Sequence, residues 1–139
     1  MRPNVVVDTG PIIALLDADE AQHGWTVSRL EELHPPLLTC EAVLTEASYL
    51  IARAGARPSV VIDLVTRGML TVFSLLDNEA DAISRLMRRY ASVPMSLADA
   101  CLVRITELTA NATVLTLDSD FRIYRQKGRR LIPLLMPDS

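Results

Sequence analysis

Five carboxylates stand where a solvated surface has no need of them: Asp8, Glu46, Asp99, Asp118 and Asp120. Asp8 closes the β-branched run Val5-Val6-Val7. Glu46 lies at the edge of the apolar stripe of a helical segment. Asp99 comes three residues after Ser96, and Asp118 and Asp120 follow the apolar run that ends at Leu117. Carboxylates brought within a few ångström of one another repel, so they must take up protons, bind a cation or lose stability. Oxygen-only ligand sets suit hard divalent cations such as Mg²⁺. Such a site can activate water and stabilise a phosphoryl transition state.

Each residue also has a plain structural reading. Asp8 suits an N-cap. Glu46 suits a helix boundary with its head in water. Ser96 and Asp99 form a capping-box pattern, SLAD, and Asp118 and Asp120 suit a turn. The weight therefore rests on whether the fold brings them together.

The elements that must do so alternate along the chain. Strands are expected at Val5–Val7, Leu37–Thr39, Leu70–Phe73, Thr113–Leu117 and Leu131–Leu135. Between them, helices are expected over Ile12–Leu16, His23–Leu33, Cys40–Ala54, Pro58–Arg67, Asn78–Tyr90 and Ser96–Leu108. The segment from Cys40 is the clearest, with Val43, Leu44, Ala47, Leu50 and Ile51 on one stripe and Gly55 to stop it. This alternation predicts an α/β fold: a three-layer α/β/α sandwich around a mostly parallel sheet of about five strands. In such sheets ligands bind at the carboxyl ends of the strands, where Asp8 and the Asp118/Asp120 pair fall.

The 139 residues fit one domain, 1–139. Half are hydrophobic and 22% charged, enough apolar material to bury a core. Aromatics make up 4%, so an aliphatic core is expected, with Trp25 and Tyr49 read as packing residues. Cys40 and Cys101 alone supply no disulfide framework, and His23 and His34 lack metal or triad spacing. No run is long enough to span a membrane, and the N-terminus lacks signal-peptide character, so a cytoplasmic location is expected. The net charge of −3 excludes a generic nucleic-acid binder with an overall basic footprint. Basic residues still crowd one stretch: Arg122, Arg125, Lys127, Arg129 and Arg130. Arg85, Arg88 and Arg89 read as the wet side of a helix.

Four segments together resemble a known family: VVVDTGPIIALLD at 5–17, LTEASYL at 44–50, SLADACLVRI at 96–105 and VLTLDSDF at 114–121. In that order and spacing the chain is similar to PIN-domain ribonucleases of the VapC type, the toxins of bacterial toxin–antitoxin pairs. The resemblance implies a Mg²⁺- or Mn²⁺-dependent endoribonuclease. It aligns Asp8, Glu46 and Asp99 with the family's regular acidic positions and leaves Asp118 and Asp120 both open for the fourth. Asp8 and Asp99 are implied as direct metal ligands. Asp118 or Asp120 would hold a second ion or act through water, and Glu46 would hold a water or serve as general base. Thr116 matches a frequent hydroxyl position, and Thr9 would help orient the first aspartate. Water would attack in line and leave a 3′-hydroxyl and a 5′-phosphate. The resemblance further implies a tRNA or rRNA substrate, arrest of translation, a homodimer and an antitoxin protein as partner. The C-terminal arginines Arg122, Arg125, Arg129 and Arg130 lie outside the family motifs and are candidate contacts to the RNA backbone.

Three other readings compete. Asp8-Thr9-Gly10 spells the aspartic-protease tripeptide, which requires a strand-dominated architecture. A phospho-acceptor domain requires a lysine at a strand end, and Lys127 is the single lysine. A catalytically inactive PIN-like binding module is the third, since a fold alone does not license an activity.

Overall fold

The valine run becomes the central strand of a five-stranded parallel sheet in the computed structural model, which describes residues 2–138. Strand β1 (Asn4–Val7) is followed by helices α1 (Thr9–Leu16) and α2 (His23–Glu32), then β2 (Leu37–Cys40), α3 (Glu41–Arg53) and α4 (Ser59–Thr66). Next come β3 (Leu70–Phe73), α5 (Leu76–Arg89), α6 (Leu97–Leu108) and β4 (Ala112–Leu115). A 3₁₀ turn (Ser119–Arg122), a small antiparallel hairpin of β5 (Arg125–Gln126) and β6 (Arg130–Leu131), and β7 (Leu134–Leu135) complete the chain. The sheet order is β3-β2-β1-β4-β7, with every pairing parallel.

That order decides where a site can form. The chain runs outward from β1 through β2 to β3, then returns to place β4 on the other side of β1. The crevice between the carboxyl ends of β1 and β4 is therefore the topological switch point, where open α/β sheets bind their ligands. The register sets Val7 beside Leu115, so Asp8 and Thr116 leave the two strands at one level. The Asp8 N–H donates to Leu115 O at 3.0 Å and continues the ladder by one residue.

Helix α6 is buried nearly all round: Ala98, Ala100, Cys101, Leu102, Val103, Ile105 and Thr106 are all in the interior. It packs on β1, β2 and β4 and also touches α3 and α5. A helix apolar on most faces belongs in a core. Its N-terminus is fastened by a complete capping box between Ser96 and Asp99. Cys40 and Cys101 are buried free thiols.

Several boundaries differ from the sequence expectation, each for a local reason. Helix α1 starts at Thr9, through Gly10 and Pro11, because first-turn residues need no intrahelical acceptor for their N–H and tolerate proline. Cys40 ends β2 and serves as N-cap of α3 rather than lying inside the helix. The fourth strand stops at Leu115, where Thr116 turns its hydroxyl to the site. The expected fifth strand is two: Arg130–Leu131 pairs with β5, and only Leu134–Leu135 joins the main sheet. Pro133 between them has no N–H to give a ladder. The arginine-rich stretch is thus a hairpin, turned at Lys127 and Gly128 with φ of 50° and 85°.

The hairpin is tied to the helices. Arg104 on α6 pairs with Glu79 on α5 at 2.6 Å and with Glu107 at 3.0 Å. The other Glu107 oxygen accepts the Lys127 N–H. Arg89 donates to Gly128 O at 2.6 Å and lies over the Tyr90 ring. Arg89, expected to be merely solvated, is an anchor. Tyr49, expected to pack, is 60% exposed instead. The aromatic packing lies elsewhere: Tyr124 meets Tyr90 and Phe121 edge-on at 5.1 and 5.2 Å, and Tyr124 and Phe121 are the largest fully buried side chains.

Leu102 is fully buried in the middle of α6. Leu102→Ala should lower the unfolding free energy by about 2–5 kcal/mol, a cost set by lost transfer energy plus the cavity left behind. Urea denaturation, with an unchanged slope and a lower midpoint, is the measurement.

Candidate functional site

Asp8 is the hub of the site. It is 6% exposed and serves as the N-cap of α1, its Oδ1 accepting the Thr9 N–H at 2.7 Å. Its Oδ2 accepts the Thr116 hydroxyl at 2.7 Å. Thr116 Oγ1 in turn accepts the Asp118 N–H at 2.9 Å, and Asp118 Oδ1 accepts the Asp120 N–H at 2.9 Å. One buried threonine therefore locks the ends of β1 and β4 together. It also turns the chain so that Asp118 comes back toward Asp8. The Thr9 hydroxyl is buried without a hydrogen-bond partner in the structure.

The third carboxylate arrives from a different direction. Asp99 lies in the first turn of α6, which runs back along the sheet from the carboxyl ends of the strands toward the start of β4. Its Oδ2 accepts two hydrogen bonds, from Ser96 N at 3.2 Å and from the Tyr124 hydroxyl at 3.0 Å. One oxygen from each of Asp8, Asp99 and Asp118 falls within 4.8 Å of the others. All donors are hard oxygens at the head of a cavity of about 800 Å³, so the set fits a divalent cation such as Mg²⁺ or Mn²⁺.

Glu46 and Asp120 line the same cavity but stand outside the group of three. Glu46 is exposed on α3, on the cavity wall. The turn after β4 thus separates the paired aspartates: Asp118 joins the cluster, and Asp120 supplies the backbone N–H that orients Asp118. Asp17 and Glu20, which the sequence reading passed over, also line the cavity. Their signal was the acid-rich stretch DADE directly after α1, legible only as a surface turn.

The four candidate arginines do not line this cavity. Arg122 is exposed on the 3₁₀ turn, two residues beyond Asp120. Arg125 folds its guanidinium onto the carbonyls of residues 122, 123 and 124. Arg129 is exposed at the hairpin turn, and Arg130 borders a separate cleft with Lys127 and Glu107. That cleft also removes Lys127 from the acidic cluster, as a phospho-acceptor site cannot allow. The protease tripeptide fares no better, since Thr9 and Gly10 open a helix in an α/β sandwich.

Proximity shows in the acidities. Burial pushes the Asp8 carboxyl up to about 6, the Asp99 and Asp118 charges add to the rise, and the Thr116 and Thr9 hydrogen bonds oppose it. Asp99 is raised as well, chiefly by burial, against the Ser96 and Tyr124 donors. The capping role and the clustering of Asp99 thus coexist, and burial outweighs the cap.

The profile of the PIN domain matches residues 5–127. The chain belongs to the PIN-domain family. Among known relatives, the ribonuclease VapC26 of Mycobacterium tuberculosis H37Rv is 25% identical over 116 residues, spanning 82% of this chain and 86% of that protein. The crystal structure of Mycobacterium tuberculosis VapC20, described as a sarcin–ricin loop cleaving toxin, superposes with a TM-score of 0.74. It covers 91% of this chain and 98% of its own at 24% identity, and so attests the fold. This PIN domain carries a VapC-like acidic cluster on that fold, and among its described residues no helix is long and apolar enough to cross a membrane.

The raised pKa of Asp8 makes a signed prediction. Below pH 3.8 the carboxyl is protonated whether the chain is folded or not, and nothing is lost. Between about pH 4 and 6 the unfolded chain ionises first, so folded stability falls as pH rises through this window. With cations removed by EDTA, Asp8→Asn should melt higher than wild type at pH 7, by on the order of 3 kcal/mol at most. The gain should vanish at pH 4. Thermal melts at both pH values provide the check, and a pH-independent difference would contradict the raised pKa of Asp8.

Proposed function

We propose that this PIN domain is a metal-dependent endoribonuclease of the VapC type, the toxin of a toxin–antitoxin pair. The observation that carries the reading is the convergence of Asp8, Asp99 and Asp118 within 4.8 Å at the switch point of the sheet. The names of its relatives, a ribonuclease and a toxin that cleaves the sarcin–ricin loop, support an RNA substrate. A tRNA or rRNA target, arrest of translation, a cognate antitoxin and a homodimeric assembly follow from the VapC resemblance.

In this reading Asp8, Asp99 and Asp118 hold Mg²⁺ or Mn²⁺, with Asp120 behind Asp118. When bound, the cation supplies Lewis acidity, lowering the pKa of water and offsetting charge on the phosphoryl oxygens. Thr116 and Thr9 N–H keep Asp8 ionised and aimed. Glu46, exposed on the cavity wall, would take the proton from the attacking water. The water oxygen bonds to phosphorus as the P–O3′ bond breaks, and the departing O3′ takes up a proton. The products are a 3′-hydroxyl and a 5′-phosphate.

Among the described residues seven carboxylates and no basic side chain line the cavity, so in this reading the backbone of the RNA is gripped from outside it. The exposed Arg122 and Arg129 suit that task, with Arg130 further along the hairpin. Arg125 is committed to its own carbonyls.

The purified protein should cleave RNA with Mg²⁺ or Mn²⁺ and stop in EDTA. Partners of ligands alone commonly cost 10–100-fold, so Asp8→Asn and Asp99→Asn should each cost roughly 100-fold or more. Gel analysis of end-labelled RNA checks the rate, and end-group analysis checks the 5′-phosphate. Cleavage that persists in EDTA, or survives both substitutions, rejects the reading. A protein that binds RNA and metal yet never cuts is a binding module.

A further inference from the structure

Tyr124 is fully buried, and its phenol oxygen ends on a carboxylate of the site. A buried tyrosine must place its hydroxyl on an acceptor. Here the acceptor is Asp99 Oδ2, which already receives the Ser96 N–H. Both protein donors thus engage one oxygen of Asp99, and among the described residues no hydrogen bond falls on Oδ1. The ring cannot drift. Tyr90 and Phe121 flank it edge-on, and the Tyr90 hydroxyl accepts the N–H of the next residue, Arg125. The hairpin beyond is fixed by Arg89 and Glu107.

We propose that Tyr124 is a positioning residue of the site: its hydroxyl fixes the rotation of the Asp99 carboxylate so that Oδ1 is presented to the cation. The inference rests on the metal-nuclease reading and assigns a task to the C-terminal segment, outside the four family motifs. Donors to a ligand's second atom orient it and tune its basicity, and their loss commonly costs 10–100-fold in metal affinity. A purely structural Tyr124 would need only its ring, and phenylalanine would serve as well.

Tyr124→Phe keeps the ring against Tyr90 and Phe121 and deletes only the oxygen. Phe121→Leu disturbs the packing of the same ring and leaves the hydroxyl. The full chain is titrated with Mn²⁺ near neutral pH, following the free ion by electron paramagnetic resonance, and urea midpoints are measured alongside. Tyr124→Phe should weaken Mn²⁺ binding about 10–100-fold. Phe121→Leu should lower the urea midpoint and bind Mn²⁺ as wild type does. Wild-type affinity in Tyr124→Phe overturns the assignment, and so does equal weakening in Phe121→Leu, because the effect then belongs to packing. If the wild-type chain shows no saturable binding, the metal reading fails first and this assignment falls with it.

Discussion

Like charges held close together in a partly buried place set the terms for this molecule. Asp8, Asp99 and Asp118 come within 4.8 Å, and burial removes much of the water that would screen them. Such an arrangement persists only if donors, protons or a cation offset the repulsion. The fold supplies donors: Thr116 and Thr9 N–H for Asp8, Ser96 N–H and Tyr124 for Asp99, and the Asp120 N–H for Asp118. Burial, with the neighbouring charges adding to it, outweighs these donors, so the carboxyls of Asp8 and Asp99 are held above the usual carboxylate range. Stability is given up locally to keep a cation-ready pocket.

The rest of the architecture bears that cost. The core on both sides of β1 is aliphatic, with Val6, Val103, Ile105, Val114 and Leu115 fully buried. Helix α6 carries Asp99 at one end and is gripped along its length by β1, β2, β4 and β5 and by α3 and α5. Rigid elements can hold a strained charge pattern, whereas a loop would relax away from it. Asp118, on the loop after β4, is held by Thr116 and by the Asp120 N–H.

Charge is segregated over the surface. The cavity is lined by acids, and the basic residues of the C-terminal hairpin point to other tasks. Arg89, Arg104 and Arg125 are spent on structure, closing helix–hairpin contacts or capping carbonyls. A net charge near neutrality therefore conceals a strongly anionic pocket beside a few exposed arginines. On the proposed reading an acidic chain can still serve a polyanion: the pocket would need cations to accept phosphate, and exposed guanidinium groups would supply long-range attraction.

Much of the fold was legible because it is written in local periodicity. Val5–Val7, the α3 stripe and the Ser96–Asp99 capping box each announce their element within a few residues. The misplacements came where tertiary pairing overrides local pattern: Leu131–Leu135 reads as one strand, yet Pro133 and the Arg125–Leu131 pairing divide it. The acids at 8, 99, 118 and 120 stood out by position. Their sorting into a cluster of three, with Asp120 behind and Glu46 on the wall, did not. Nor did Tyr124, whose partner lies 25 residues away. By itself the sequence determined the elements, the aliphatic core and the acidic residue types, since these depend on neighbours along the chain. Only the tertiary structure decided which oxygens meet and which donors hold them, because strand order and register bring together residues over a hundred positions apart, such as Asp8 and Thr116.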